Sequence, residues 1–475
     1  MSGLNGLYDA LRMGVSALKT QSRAIETVSR NMANVNNPTY SRQRVVFGNV
    51  APIGGGTAVS VDALQVEQLR DVLLDRQVTR EKSAEAALAA ETAAYDRGET
   101  AMGETISSVK DPTATATGGG NSLANAMSGF FGAARQLATD PTNATQKQMF
   151  FQTAKTMAER FQFSHERLTE VQSDLTDQCS KDVEKANLLL SSIKDLNASI
   201  ASQESSTGQK ALSLRDERQA RLEDLSQIMS FRSANLPNRD NQIEITATSA
   251  TGADTVLLSG DTTVNSLSFN GDTVYVGSPS TGTALNLKAG SITGNLTARD
   301  GALQTLSTNL DQMASQMVTS VNAVYNPSGT TQNFFNPTGK QAGTITLATG
   351  LTEANIRASA PGGAAGDGSV AQAISELDTR TFSTDAGDAV NGTLGQSYAS
   401  AISLFSYSVS QTKMQHENQK GVLSAISGQR DSVSGVSLDE EAAELMKYQR
   451  AFQASARILS LIDNVLETVV NGLGR

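Results

Sequence analysis

The sequence predicts a mainly α-helical chain with a small inserted β domain, in which helices from the two ends pair as a coiled coil. Three observations predict this fold: heptad-spaced apolar residues at both termini, helical periodicity over most of the interior, and a change to short strand-like runs after Pro237. The chain has 475 residues, which is too long for a single hydrophobic core. We therefore expect about three domains.

The C-terminal stretch from Leu438 to Leu473 carries the clearest pattern. Ser437 is a suitable N-cap, the acidic residues 439–441 suit the helix dipole, and Gly472 and Gly474 end the helix. A seam as narrow as this one needs another apolar stripe to cover it. Its positions recur in alternating steps of three and four, as in a coiled coil: Leu445, Tyr448, Phe452, Ser455, Leu459, Ile462, Leu466, Val469 and Leu473.

The N-terminal residues provide a matching stripe. Ser2 can cap this helix, and Pro38 ends it because proline disfavours helix in the residue before it. Either the two ends form unrelated amphipathic helices, or they pair with each other or with neighbouring subunits. Glycine and glutamine in this seam weaken an isolated pair, so we expect termini that fold only on assembly. The positions are Leu4, Leu7, Leu11, Gly14, Leu18, Gln21, Ile25, Val28, Met32 and Val35.

Between the ends, the chain alternates helical patterns with breaks. Residues 44–47 and 59–66 are strand-like, Gly54 to Gly56 form a flexible break, and residues 111–121 form a linker. Short apolar pairs near 243–245, 256–258, 267–269, 274–276 and 285–287 indicate strands. Helices are predicted at 67–103, 123–139, 146–169, 171–203, 212–232, 294–325 and 394–429.

These elements predict a nested domain organisation, with the β domain farthest from the paired termini. Residues 327–395 are rich in Gly, Thr and Ala, with strand candidates at 344–347, and their fold is open. The expected domains are a terminal coiled-coil core domain of residues 1–60 and 430–475, a helical rod-like domain of residues 61–235 and 294–429, in which 327–395 is partly irregular or strand, and an inserted β domain of residues 236–293.

Composition excludes several classes of function. The formal charge is −10, from 38 Lys and Arg against 48 Asp and Glu, which disfavours binding to nucleic acid or an anionic membrane. Cys179 is the single cysteine, so no intramolecular disulfide or cysteine-based metal site can form, and a packing role is expected. His165 and His416 have polar neighbours and are expected at the surface. We therefore expect no catalytic, cofactor or metal site.

No stretch of the chain is apolar for long enough to predict a transmembrane helix. Arg12 and Lys19 interrupt the N-terminal apolar residues, and no cleavage site follows them, so a cleaved signal peptide is not expected. If the chain leaves the cytoplasm, we expect a route that needs no cleaved signal.

Three motifs lie in the order and at the ends that one known family shows. The segment from Ala33 to Gln43 resembles A-N-x-N-T-P-G-Y-S-R-Q, and residues 214–227 resemble L-x-D-Q-R-D-x-L-x-x-L-S. Residues 437–457 contain L-D-E-E and a run similar to Y-Q-x-A-Y-Q-A-S-A-R. On these motifs the chain resembles the family of the first hook-associated protein of the bacterial flagellum. The departures are Asn37 for Thr, Thr39 for Gly, Gln219 for Asp and Phe452 for Tyr.

The resemblance implies a structural axial protein, without catalysis, that joins hook to filament and allows the filament to assemble. It implies a place in the extracellular flagellum, reached unfolded through the flagellar type III pathway. The implied partners are other copies of the chain, the hook protein, the third hook-associated protein and an export chaperone that binds the C-terminal helix. We expect Arg42 and Arg44 to stay solvated or to pair with carboxylates on a neighbouring subunit.

On this interpretation both seams and the segment after the first helix form the assembly interface. The expected interface residues are Leu4, Leu7, Leu11, Leu18, Ile25, Val28, Met32, Tyr40, Arg42, Leu445, Tyr448, Phe452, Leu459, Ile462, Leu466 and Val469.

Three alternatives remain open at this stage. A hook or rod subunit shares part of the first motif and a related C-terminal helix, although the Ser41-Arg42-Gln43 continuation favours the junction family. An exported effector or adhesin would use the same secretion route and bind a ligand through the β domain. A cell-wall hydrolase would need paired carboxylates in a cleft, but Asp and Glu lie on polar helix faces and the sequence has no Trp to bind sugar.

Overall fold

The fold is described from a computed structural model, which covers residues 2–50, 60–102, 122–237, 239–364 and 366–473. Helices dominate, as the sequence predicts. They are α1 (Ser2–Ala33), α2 (Val72–Met102), α3 (Leu123–Thr139), α4 (Ala144–Thr207), α5 (Leu212–Ile228), α6 (Ser291–Ala298), α7 (Gln304–Tyr325), α8 (Ser369–Glu376), α9 (Leu394–Ser434) and α10 (Leu438–Leu473).

All the strand pairing within these residues is antiparallel, and it forms three small sheets. A hairpin joins β1 and β2, a four-stranded sheet has the order β3-β4-β5-β6, and a three-stranded sheet has the order β7-β8-β9. The strands are β1 (Gln43–Val50), β2 (Ser60–Gln68), β3 (Arg232–Leu236), β4 (Arg239–Thr248), β5 (Asp254–Ser259), β6 (Thr263–Val264), β7 (Leu267–Phe269), β8 (Val274–Val276) and β9 (Thr283–Ala284).

The two ends of the chain form one unit. Helices α1 and α10 pack along each other, and the β1–β2 hairpin packs on α1. The expected pairing of the terminal helices is therefore confirmed. The expected glycine break at residues 54–56 and the linker at 111–121 lie outside the described residues.

Helix α4 is continuous over 64 residues, so the prediction of two helices meeting near residue 170 is wrong. No turn residue interrupts it there, and the buried face runs on through Leu168, Val171 and Leu175. The Asn143 side chain caps its first turn by accepting from the backbone N–H of Thr145 and of Gln146. Gly208 ends it in a left-handed conformation, with φ of 64°.

The first half of α4 belongs to the largest hydrophobic core. Helices α3, α7 and α8 surround it together with the 327–395 segment, whose aromatic side chains are buried. This segment folds mostly as loops, with α8 as its described helix; the strand expected at 344–347 is only a bridge from Leu347 to Phe335. The rings that meet there are Phe130, Phe150, Tyr325, Phe334 and Phe335.

The second half of α4 forms a separate core with α5, α6 and both larger sheets. Cys179 is buried here, as expected for a packing residue, and Asn197 of α4 donates to the backbone carbonyl of Ile243 in β4. Just beyond the end of α4 the chain reaches the terminal unit, where Arg23 of α1 donates to the Gln209 side chain at 3.0 Å. The β region packs on the half of α4 that ends at the terminal unit, whereas the first core lies on the other half, so the expectation that the β region lies farthest from the paired termini is wrong.

Several element boundaries also differ from the predictions. Helix α2 begins at Val72, since residues up to Gln68 pair with β1. Helix α5 ends at Ile228, before the predicted end at Arg232, and Arg232 is instead the first residue of β3. The predicted 294–325 helix begins at Ser291 and is interrupted by a π-helical turn over Arg299–Leu303.

Candidate assembly interface of the paired termini

The two predicted seams face each other. Val28 of α1 and Tyr448 of α10 are buried between the helices and the β1–β2 hairpin. A Cβ atom on Gly14 would lie 3.0 Å from Cγ of Leu459, so glycine permits close approach at this point. Gly14 is therefore a contact site, and the expectation that glycine weakens an isolated pair stays a prediction.

Most of the other predicted seam residues are partly covered. Phe452 keeps 37% of its surface exposed, at the edge of the contact. Leu4 and Leu7 lie on α1, but their side chains are outside the description. Because each helix covers the other's seam only in part, both seams keep some apolar surface exposed in a single chain. The half-buried seam residues are Leu11, Leu18, Ile25, Met32, Leu445, Leu459, Ile462, Leu466 and Val469.

A buried amide, the side chain of Asn31, joins the end of α1 to the start of α10. Asn31 is 1% exposed, and its side-chain nitrogen donates to the Gln43 carbonyl at 2.8 Å and to Glu441 Oε2 at 2.9 Å. Its side-chain oxygen accepts from the Gln43 backbone N–H at 3.0 Å and from the Tyr40 hydroxyl at 2.8 Å. Both hydrogens and both lone pairs of the amide are used, so any other side chain would leave a buried polar partner unpaired.

An ion pair joins the same two ends. Arg42 Nε donates to Glu441 Oε1 at 2.7 Å, and Arg42 Nη1 donates to Glu440 Oε2 at 2.6 Å. The Arg42 backbone N–H donates to the Ser434 carbonyl at 2.8 Å. Burial lowers the pKa of Arg42, but the two carboxylates outweigh it and raise that pKa above its usual value. The structure thus places Arg42 on carboxylates of its own chain rather than a neighbour's, and Arg44 is exposed.

A second polar junction fixes this unit to α5. Arg430 Nη1 donates to Glu223 Oε1 at 2.8 Å, and Arg430 Nη2 donates to the Pro38 carbonyl at 3.0 Å. Lys82 of α2 pairs with the other oxygen of Glu223, which is 2% exposed. Four separate chain segments therefore meet at the Glu223 carboxylate and its partners.

Asp216 lies beside this junction, also on α5. It is buried next to Arg70, whose Nη1 is 3.4 Å from Oδ1 of Asp216, and it lies close to the Ser41 backbone. Burial raises the pKa of Asp216 to about 7, against the lowering effect of Arg70. Burial, with a contribution from Asp216, also raises the pKa of the Tyr40 hydroxyl to about 12.

Sequence reasoning found the seams but missed the polar residues that lock them. Asn31, Asp216, Glu223 and Arg430 have no periodic signal, and Glu441 was assigned only to the helix dipole. The available signal was that charges of opposite sign stand in the motifs at the two ends, Arg42 in one and Glu441 in the other.

The two histidines also differ from expectation. His416 Nε2 is 2.9 Å from Glu85 Oε1, across the α9–α2 contact, and its side chain is 13% exposed. His165 lies 3.5 Å from Asp311 and is also partly covered. The prediction that both lie at the surface is therefore wrong, because polar neighbours along one helix do not reveal which helix packs over it.

Helix α10 carries a second apolar stripe, which α1 does not cover. Leu461 has 64% of its surface exposed, and its neighbours on this face are also largely exposed. On α1, Tyr8, Met13 and Val15 are similarly exposed. An uncovered stripe beside a covered seam is typical of a helix that packs against further partners. The exposed large apolar residues on this face of α10 are Met446, Ile458, Leu461 and Val465.

No group of three or more His, Cys, Asp or Glu side chains in the described ranges is arranged to hold a metal ion. Among the helices that the structure describes, none is long and apolar enough to cross a membrane.

Comparison with protein families gives three matches along the chain. The model described as flagellar hook-associated protein FlgK helical domain matches residues 113–340. The model for the flagellar basal body rod FlgEFG protein C-terminal matches residues 428–473, and the one for flagella basal body rod protein matches residues 11–40. Paired terminal helices together with these matches define the chain as an axial protein of the bacterial flagellum.

Individual similar proteins indicate which axial protein family the chain resembles. Flagellar hook-associated protein 1 of Bacillus subtilis is 26% identical over 525 aligned residues, covering 99% of each chain. The Escherichia coli protein of that name is 29% identical over 107 residues, which cover 22% of this chain and 19% of the relative. The Salmonella typhimurium protein of that name is 32% identical over 81 residues, which cover 17% of this chain and 15% of the relative. The chain thus combines the FlgK helical domain with termini of the flagellar rod family and matches flagellar hook-associated protein 1 over 99% of its length, as expected for a structural protein of the hook–filament junction.

A solved structure of the flagellar hook junction protein FlgK from Burkholderia pseudomallei is also similar. The TM-score is 0.45 at 19% identity, and the match covers 55% of this chain and 46% of that chain.

The buried carboxylate Glu441 gives a first prediction. Glu441→Gln keeps the shape but leaves the Arg42 charge paired only with the exposed Glu440. Losing one partner of a buried pair costs several kcal/mol, and we expect ~3 kcal/mol here because Arg42 is partly solvated. Amide hydrogen exchange over residues 24–47 and 438–448 should report this loss of protection.

Glu440→Gln is the matched control, because the Glu440 side chain is 64% exposed and such pairs contribute under ~1 kcal/mol. Equal loss of protection in the two variants would contradict the role assigned to Glu441.

The Asp216 carboxyl gives a second prediction. Its pKa is about 7 in the folded chain, against an ordinary 3.8, so between these pH values the folded chain holds a proton that the unfolded chain releases. Stability should therefore fall as pH rises from about 4 to about 7. Asp216→Asn mimics the protonated form and should remove this fall, so that it unfolds at a higher temperature than the wild type at pH 8.

Thermal unfolding between pH 5 and 8 checks this expectation. Asp224→Asn is the control on the same helix, since Asp224 is 46% exposed, and it should keep the wild-type pH profile. An unchanged profile in Asp216→Asn would show that Arg70 holds the carboxyl ionised throughout this range.

Proposed function

We propose that the paired termini are the assembly element of this junction protein, forming the inner wall of the axial tube against neighbouring copies. One observation carries the proposal: α10 covers its seam with α1 of the same chain and leaves a second apolar stripe, centred on Leu461, facing outward. Intrachain pairing thus presents a preformed surface for the next copy.

The energetics of this surface favour assembly. Ile458, Leu461 and Val465 are each about half exposed or more, and burying such a side chain contributes ~1.5–3 kcal/mol. In a ring each copy offers the stripe to one neighbour and receives another's on a different face, so the contacts repeat around the axis. The partly covered seam residues from Leu459 to Val469 add area wherever a neighbour closes over the α1–α10 groove.

The rest of the chain then serves as a spacer and outer surface. We assign residues 1–60 and 430–475 to the assembly domain, residues 61–235 and 294–429 to a helical rod-like domain, and residues 236–293 to the inserted β domain. Strand β2, which pairs with β1 and packs on α1, moves the first boundary of the assembly domain to residue 68. The polar junctions at Glu223 and Asp216 support this division, because they fix the orientation of the rod-like part on the assembly part. On this proposal the chain has no catalytic role.

The same surfaces determine the proposed partners. The hook protein contacts the lower edge of the ring and the third hook-associated protein the upper edge. Before assembly the exposed stripe of α10 is a suitable ligand for an export chaperone, which would cover it as a helix laid in a groove. Export proceeds unfolded through the flagellar type III pathway, without cleavage of the N-terminus.

Electron microscopy of cells that lack this chain tests the placement of the protein. We expect hooks without filaments, with flagellin released to the culture medium. Cells without hooks would instead indicate a hook or rod subunit, and intact flagella would contradict an axial role.

Substitution in the outward stripe tests the mechanism. Leu461→Asp lies away from α1, so it should leave the intrachain pairing and export unchanged but abolish incorporation into junctions. Leu459→Asp and Leu11→Asp, on the covered seam, should disrupt the pairing itself and block incorporation. Complementation of the deleted strain, scored by filaments per cell and by the variant recovered from the medium, measures both effects.

Leu188→Asp is the matched control, because Leu188 of α4 is 72% exposed and lies outside the terminal unit. It should support normal filaments. Normal junctions in the Leu461 variant would contradict the proposed interface.

A further inference from the structure

A cleft of about 150 Å³ lies between the start of α2, helix α5 and strand β3. Four arginines line it: Arg70 and Arg76 from one side, and Arg215 and Arg218 from α5. The remaining wall includes the Asp75 carboxylate and residues Ser233 to Asn235 of β3, which is the edge strand of its sheet. The proposed assembly contacts do not use this cleft.

Two of the four arginines have carboxylate partners. Arg70 Nε is 2.6 Å from Asp75 Oδ2, and Arg215 Nε is 2.8 Å from Glu204 Oε1. Both guanidinium groups are thus neutralised at least in part.

Arg218 differs from them. It is only 7% exposed, and its Nη1 donates to the Asn197 side chain at 2.7 Å and to the Asn241 carbonyl at 2.9 Å, which are both neutral. No carboxylate lies within ion-pair distance of it among the described side chains. Burial, together with the like charges of Arg215 and Arg70, lowers the pKa of Arg218 to about 10. Glu204 offsets this lowering in part, but the direct hydrogen-bond partners of Arg218 are neutral, and a buried cation held by neutral groups is costly unless a counter-charge is supplied.

Arg76 stands at the mouth of the cleft. It is exposed, and it makes no hydrogen bond or ion pair with any residue that the structure describes. A guanidinium presents its donors in a planar fork that matches the oxygens of a carboxylate or phosphate. Arg76 outside and Arg218 inside thus offer donors to the same space.

We propose that this cleft binds a single oxyanion, a carboxylate or a phosphate, which completes the charge balance around Arg218. A cleft of about 150 Å³ has room for one such group. A carboxylate would come from an acidic side chain of another copy of this chain, which carries a net charge of −10. A phosphate would come from solution.

Thermal unfolding of the full chain tests this proposal. The chain is titrated with sodium phosphate and, separately, sodium acetate, each against sodium chloride at matched ionic strength. A ligand that binds only the folded state raises the unfolding temperature with concentration. We expect such a rise with at least one of the two anions, together with an apparent Kd at least fivefold weaker in Arg76→Gln.

Arg97→Gln is the matched control, since Arg97 is an exposed arginine on the same helix that does not line the cleft. It should bind as the wild type does. Arg218→Lys keeps the charge but loses the planar pair of guanidinium donors, so it should also bind the anion more weakly. If this variant fails to fold, the Arg76→Gln variant still tests the proposal.

Each outcome has a defined meaning. A response to acetate alone identifies a protein carboxylate as the occupant, a response to phosphate alone identifies the free anion, and a response to both defines a general oxyanion site. If neither anion exceeds chloride, or if the Arg97 and Arg76 variants lose the response equally, the proposal is overturned.

Discussion

The structure depends on a buried contact between residues that are about 400 positions apart. Glu441, fully buried at the start of α10, accepts from Asn31 of α1 and from Arg42 just beyond it. Hydrophobic seams bring helices together without specifying their register closely, because apolar contacts are non-directional. The Asn31 amide has both donors and both acceptors paired only in one arrangement, so it sets the register of α1, α10 and β1 at once.

The polar contacts continue from there into the rest of the chain. Next to Tyr40, the Ser41 backbone lies close to the carboxylate of Asp216. The Pro38 carbonyl accepts a hydrogen bond from Arg430, which also donates to Glu223 of α5. The turn after the first helix therefore links the assembly element to the spacer. The Asn37 and Thr39 departures from the family motif lie in this turn, where Asn37 accepts hydrogen bonds from Thr39 and so supports the turn without glycine.

Periodicity predicted the features that depend on one helix at a time. The seams of α1 and α10, the bounds of α3 and the start of α9 all follow from local spacing and capping residues. Periodicity failed to predict the structure of segments whose conformation depends on packing or pairing with another element. The merging of two predicted helices into α4 depends on a buried face that continues past residue 170, and β3 exists because β4 pairs with it. The burial of Glu441 and Arg218 could not be predicted from periodicity, because a buried charge is defined by its surroundings rather than by its place in a pattern.

The unbroken α4 helix has a mechanical consequence. At 1.5 Å per residue its 64 residues extend about 96 Å, and the same rod passes through both hydrophobic cores. A load applied to one core is transmitted to the other without an intervening hinge in this helix. Compliance must then come from the short non-helical connections beside the terminal unit, such as residues 208–211 and 435–437. The part of the chain built on α4 is therefore stiff, and bending is confined to the connections that join it to the paired termini.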